Sequence, residues 1–116
     1  MNKEIKAQWL AALRSGKYKQ TTGVLRQDHT NEMCCLGVLC DILAPNDWDG
    51  QGYHRNELQL PSGSICEQAG LPPPYRGVSA LGIETVTGET LTNKLAGLND
   101  QSENFDRVIE MIEQEL

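Results

Sequence analysis

Ile5, Trp9 and Leu13 recur every fourth position near the start of the chain, a spacing that puts them on one face of a helix. Asn2 can cap that helix, Ala7, Ala11 and Ala12 favour it, and Gly16 ends it. The other end of the chain repeats the signal. Phe105, Val108, Ile109 and Ile112 predict a closing amphipathic helix, with Asp100 and Glu103 as a D-x-x-E cap before it. Between them, Leu36, Leu39, Cys40 and Leu43 predict a helix stopped by Ala44-Pro45. It is apolar on most sides apart from Asp41, and so belongs at the centre of a small core. Gly37 inside it points either to close contact with a neighbour or to a later helix start. Ser64 and Glu67 form a capping box for a short helix ending at Gly70, and Leu91, Leu95 and Leu98 mark another.

Elsewhere the pattern leans towards strands. Val24-Leu25-Arg26 and Met33-Cys34-Cys35-Leu36, separated by the polar run 27–32, predict a hairpin. Ile83 and Thr85-Val86-Thr87, within Val78 to Leu91, predict one or two short strands. Leu71-Pro72-Pro73-Pro74 starts a stiff connector. The expected fold is a single α+β domain over residues 1–116, with amphipathic helices packed on a small antiparallel sheet.

Composition sharpens this picture in two ways. At 39 % apolar residues and a formal net charge of −6, the chain is too apolar and too weakly charged to be disordered. The charge is also unevenly spread. Residues 1–26 carry six lysines and arginines against Glu4 alone, a local +5 that leaves −11 for the remainder. From Asp100 onwards six acids face Arg107, which disfavours general nucleic-acid binding. A basic and an acidic helix of this kind can attract each other. No apolar run suits a membrane span and the mixed-charge start is no signal peptide, so a cytoplasmic location is expected.

The chemistry-bearing residues form no familiar catalytic frame. Gly63-Ser64-Ile65 lacks the flanks of a nucleophile elbow, and Gly50-Gln51-Gly52 lacks the third glycine of a dinucleotide loop. A cysteine nucleophile would need Cys34 or Cys35 to meet His29 or His54 in space. Cys34, Cys35, Cys40 and Cys66 do not have the paired spacing of a zinc site, and buried thiols are expected. Neither metal nor cofactor is expected, and the reading leans against an enzyme.

The strings Ala12-Leu13-Arg14-Ser15-Gly16-Lys17-Tyr18-Lys19-Gln20, Cys34-Cys35-Leu36-Gly37-Val38-Leu39-Cys40-Asp41 and Leu98-Asn99-Asp100 resemble those of short proteins encoded by bacteriophages and prophages. That resemblance implies a small accessory protein acting in the host cytoplasm and supplies no catalytic residues. The expectation is a non-catalytic binding protein with a counter-defence role, taking a host protein or an anionic, nucleotide-like small molecule. Its candidate ligand residues are Lys17, Tyr18, Lys19, Arg26, Trp48, Tyr53, His54 and Arg55, because lysine and arginine hold phosphate oxygens while aromatic rings stack on bases. Homo-oligomerisation would help complete such a pocket. Two alternatives stand beside it: an acidic inhibitor whose last helix imitates a row of phosphates, and a zinc-stabilised adaptor.

Overall fold

The computed structural model describes residues 1–74 and 90–116. Among the described residues, five α-helices carry the fold: α1 (Lys3–Arg14), α2 (Cys35–Leu43), α3 (Gly63–Ala69), α4 (Leu91–Asp100) and α5 (Asp106–Glu115). The helices predicted from apolar spacing are all present, and their caps show why they start where they do. Asn2 accepts the Ile5 N–H at 3.0 Å and thereby starts α1. Gly70 ends α3 in the left-handed conformation at φ 73°.

Two caps differ from expectation. Ser62, not Ser64, starts α3 by accepting the Ile65 N–H at 3.3 Å. Asp100 ends α4 rather than capping α5, and its carboxylate takes the Gly23 N–H at 2.9 Å. The turn into α5 is held instead by Asn104, whose side-chain oxygen accepts the Asp106 N–H at 2.9 Å.

The expected antiparallel sheet is overturned. The described residues are mostly helical and contain only isolated bridges, such as Arg26 with Met33 and Trp48 with His54. The reason lies in where the backbone groups of the supposed hairpin go. The Leu25 N–H binds the Leu58 carbonyl at 2.7 Å, the Leu25 carbonyl takes the Cys34 N–H at 3.1 Å, and Met33 donates to Lys19 at 2.9 Å. A segment whose hydrogen bonds run to three different stretches cannot propagate a ladder. The strands expected over 78–89 lie outside the described residues, and Leu91 opens α4.

α2 is the centre of the core, as its apolar circumference predicts. Every residue from Cys35 to Cys40 is buried, with α1 and α4 packed on it and α5 on α1 and α4. Gly37 is the point of closest approach: a Cβ added there would stand 1.9 Å from the Leu25 carbonyl oxygen. Trp9 anchors α1 to this centre and donates its indole N–H to the Cys35 carbonyl at 2.8 Å. Asn99, fully buried on α4, accepts the Cys35 N–H at 3.1 Å and donates to the Thr21 carbonyl at 2.9 Å. It thus ties the start of α2 to the irregular segment after α1. Among the described residues, no helix is long and apolar enough to cross a membrane.

Candidate functional site

Asp41, the polar exception on α2, organises the aromatic residues singled out in the sequence. Its two carboxylate oxygens are shared between partners that lie on either side of it in the chain. The Tyr18 hydroxyl donates to one at 2.7 Å, and the Trp48 indole N–H donates to the other at 3.0 Å. Burial, then the hydrogen bond to Asp41 and its charge, push the Tyr18 phenol up to about 12. Trp48 follows α2 because Pro45–Asp47 make one tight 3-10 turn, returning the chain alongside the helix it has just left.

The Arg26 guanidinium lies 5.3 Å above the Trp48 ring and is steadied from the side by the Asn31 amide oxygen, 3.1 Å from its Nε. The edge of His54 meets the same indole, with ring centroids 4.8 Å apart and planes at 71°. His54 is fully buried, and its Nε2–H donates to the Ala44 carbonyl at the end of α2, 2.9 Å away. Its Nδ1 is buried and has no hydrogen-bond partner among the described residues. Tyr18, Arg26, Trp48 and His54 therefore form one cluster about Asp41.

The other four candidates are placed differently. Lys17 and Lys19 are exposed next to Tyr18 in the chain, and among the described residues no hydrogen bond or ion pair ties their side chains to the cluster. Tyr53 lines a separate open depression of about 470 Å³ with Asn56, Glu57, Leu58, Gln59 and Leu60. Arg55 turns towards α3, donating to Asp47 at 2.6 Å and to the Ser64 hydroxyl at 2.7 Å. It reaches them from an unusual backbone: Arg55 and Asn56 have φ of 50° and 67°, the two central residues of a tight turn in which His54 and Glu57 exchange both backbone hydrogen bonds at 2.9 Å.

Sequence reasoning missed Asp41 as the organiser, and with it Asn31. The usable signal was the isolation of one carboxylate on an otherwise apolar helix, since a half-buried charge there requires donors from elsewhere.

The cysteines line the core rather than the cluster. All four are buried thiols. Burial pushes the Cys34 thiol up to about 11, outweighing nearby N–H groups that favour the thiolate, and raises Cys35 and Cys40 as well. Among the described residues no three metal-binding side chains converge, so the zinc-adaptor expectation finds no ligand set there.

The acidic end forms a second surface feature. An open groove of about 410 Å³ is lined by Arg14, Asp106, Ile109, Glu110, Glu113 and Gln114. Arg14 pairs with Glu113 across it, and Lys6 reaches the Glu113 carbonyl at 3.5 Å. Part of the basic charge of α1 is thus directed to the acidic α5, the mutual attraction that the charge split predicted.

These features define a small helical protein in which a loop-borne aromatic and cationic patch is fixed to the central helix through one carboxylate. The chain belongs to the domain-of-unknown-function family DUF8296, whose model matches residues 1–116. No curated protein and no solved structure matches it.

Proposed function

We propose that this is a phage accessory protein that works by binding rather than catalysis in the host cytoplasm, in a counter-defence role. Its working surface is the Arg26–Trp48 patch flanked by Lys17 and Lys19. The observation that carries the reading is the Arg26 guanidinium lying over an indole, 5.3 Å from its ring centroid, that Asp41 holds in place. A cation on a fixed aromatic plane offers a phosphate-bearing group both charge and a flat contact. The patch is preorganised, so little ordering cost falls on the binding step. Thiols that are buried and hard to deprotonate support the non-catalytic reading. The direct test is thermal unfolding with nucleoside phosphates and cyclic dinucleotides. A ligand at about 100 times its dissociation constant stabilises the fold by about 2.7 kcal/mol, a gain that Lys17→Ala/Lys19→Ala/Arg26→Ala should remove. No stabilisation by any of these compounds would refute the nucleotide-like ligand.

The α1/α5 groove supports a second reading, an acidic inhibitor that docks on a basic host protein. Asp106, Glu110 and Glu113 line it around Ile109, which combines negative charge with an apolar contact. Neutralising Glu103, Asp106, Glu110 and Glu113 as amides should abolish such inhibition and leave ligand binding at the Arg26 patch intact.

A further inference from the structure

Asp106, Glu110 and Glu113 stand at i, i+4 and i+7 on α5, a spacing that sets three acids in one row about 10 Å long. The row lines the α1/α5 groove, and Ile109 is the apolar residue beside it. Among the described residues neither Asp106 nor Glu110 makes a salt bridge. Glu113 differs. Arg14, in the last turn of α1, reaches across the groove and pairs with it. The two side chains are 51 % and 49 % exposed, so the pair is well solvated and contributes little to the fold.

A guanidinium already in the groove shows what chemistry the groove takes. Its lining carries three carboxylates against one cation, so nucleic acid and anionic lipid are repelled and a cationic occupant is favoured. The planar fork of arginine matches a carboxylate in a way that the point charge of lysine does not. Ile109 adds an apolar contact to the charged row. A helix that carries arginines at the same i, i+4 and i+7 spacing, with an apolar residue on that face, meets the row and Ile109 together.

We propose that the groove takes an arginine-bearing amphipathic helix of a partner protein, and that Arg14 is an internal stand-in which the partner's guanidinium displaces from Glu113. The proposal rests on the acidic-inhibitor reading above and adds to it the chemistry of the partner and a restraint on its binding. In the free protein Arg14 satisfies one acid of the row and leaves two open. A partner must break that pair before making its own, so loss of Arg14 strengthens binding. A residue that merely supported the groove would act in the opposite direction.

The test titrates the full chain at low salt with a labelled synthetic helix carrying arginine at i, i+4 and i+7 around leucine, read by fluorescence anisotropy. Arg14→Gln should tighten binding about two- to fivefold, the worth of an exposed ion pair. Glu113→Gln should weaken it. Lys94→Gln makes the same change of net charge on α4, outside the groove lining, and should alter affinity by less than about twofold because salt screens distant charges. The same peptide with citrulline for arginine should bind neither the wild type nor Arg14→Gln. If the wild type binds and Arg14→Gln binds no better, the stand-in is overturned while the acidic-inhibitor reading survives. Absence of binding by both chains would overturn both. An equal gain in Lys94→Gln, or equal binding of the citrulline peptide, would overturn the proposal, as would self-association of Arg14→Gln in place of peptide binding, which would make the occupant a second copy.

Discussion

The carbonyl oxygen of Leu25 occupies the place where a side chain on Gly37 would begin, 1.9 Å from an added Cβ. The same oxygen accepts the Cys34 N–H at 3.1 Å, so it cannot retreat without breaking the bond beside the start of α2. Helix propensity alone would favour alanine at this position by about 1 kcal/mol. The clash is with backbone, and it wins. Gly37→Ala should cost at least about 3 kcal/mol or prevent folding, measured by urea denaturation; a loss below about 1 kcal/mol would show that the two segments part easily.

Asp41→Ala should detach the patch from the central helix. It removes the acceptor for both Tyr18 and Trp48, with an expected cost of about 1–3 kcal/mol. Trp48 emission should shift to the red while the fully buried Trp9 does not, which a Trp9→Phe background separates. Unchanged Trp48 emission would mean that the loop is held without Asp41.

Asn99→Ala should destabilise more than its polarity suggests. The Cys35 N–H and the Thr21 carbonyl lose partners in one step, each unsatisfied buried group costing about 1–3 kcal/mol. Gln20, whose amide also donates to the Asn99 side-chain oxygen at 3.3 Å, should lose order with it, visible as faster hydrogen exchange over residues 20–21 and 35.

Alkaline pH should loosen the fold early. A thiol whose folded pKa is raised keeps its proton longer in the folded state, so its stabilising contribution is complete below the ordinary thiol range and fades as pH rises through the folded value. For Cys34 this window runs from about 9 to about 11, with Cys35 and Cys40 raised in the same direction by burial. Tyr18 adds a second decline, from about 10 to about 12. Melting temperatures should hold to about pH 8.5 and then fall. Cys34→Ser should flatten the first part of the fall and Tyr18→Phe the later part.

The helices were legible in the chain because each rests on local information: Asn2 with Ile5, Trp9 and Leu13 specify α1 without reference to anything distant. Gly37 was legible as an anomaly, since a glycine in an apolar helix demands a close neighbour, though not as the neighbour of Leu25. The sheet failed because Val24-Leu25 has strand propensity only if its hydrogen bonds find one continuous partner, and the Leu25 N–H goes to Leu58 instead. Four of the eight candidate residues, Tyr18, Arg26, Trp48 and His54, do meet. Asp41, which joins two of them, was visible only as an isolated carboxylate. Its partners lie 23 positions earlier and 7 later, and no periodicity links such distances.

Arg55 occupies a backbone position that glycine would fill with less strain, at an expense of about 1 kcal/mol or more. What the chain gains is a strut: the side chain clamps Asp47, just past α2, to Ser64, inside α3. The segment after α2 and the first turn of α3 are therefore joined by one guanidinium as well as by the intervening loop. Arg55→Gly would relax the turn and remove that cross-link.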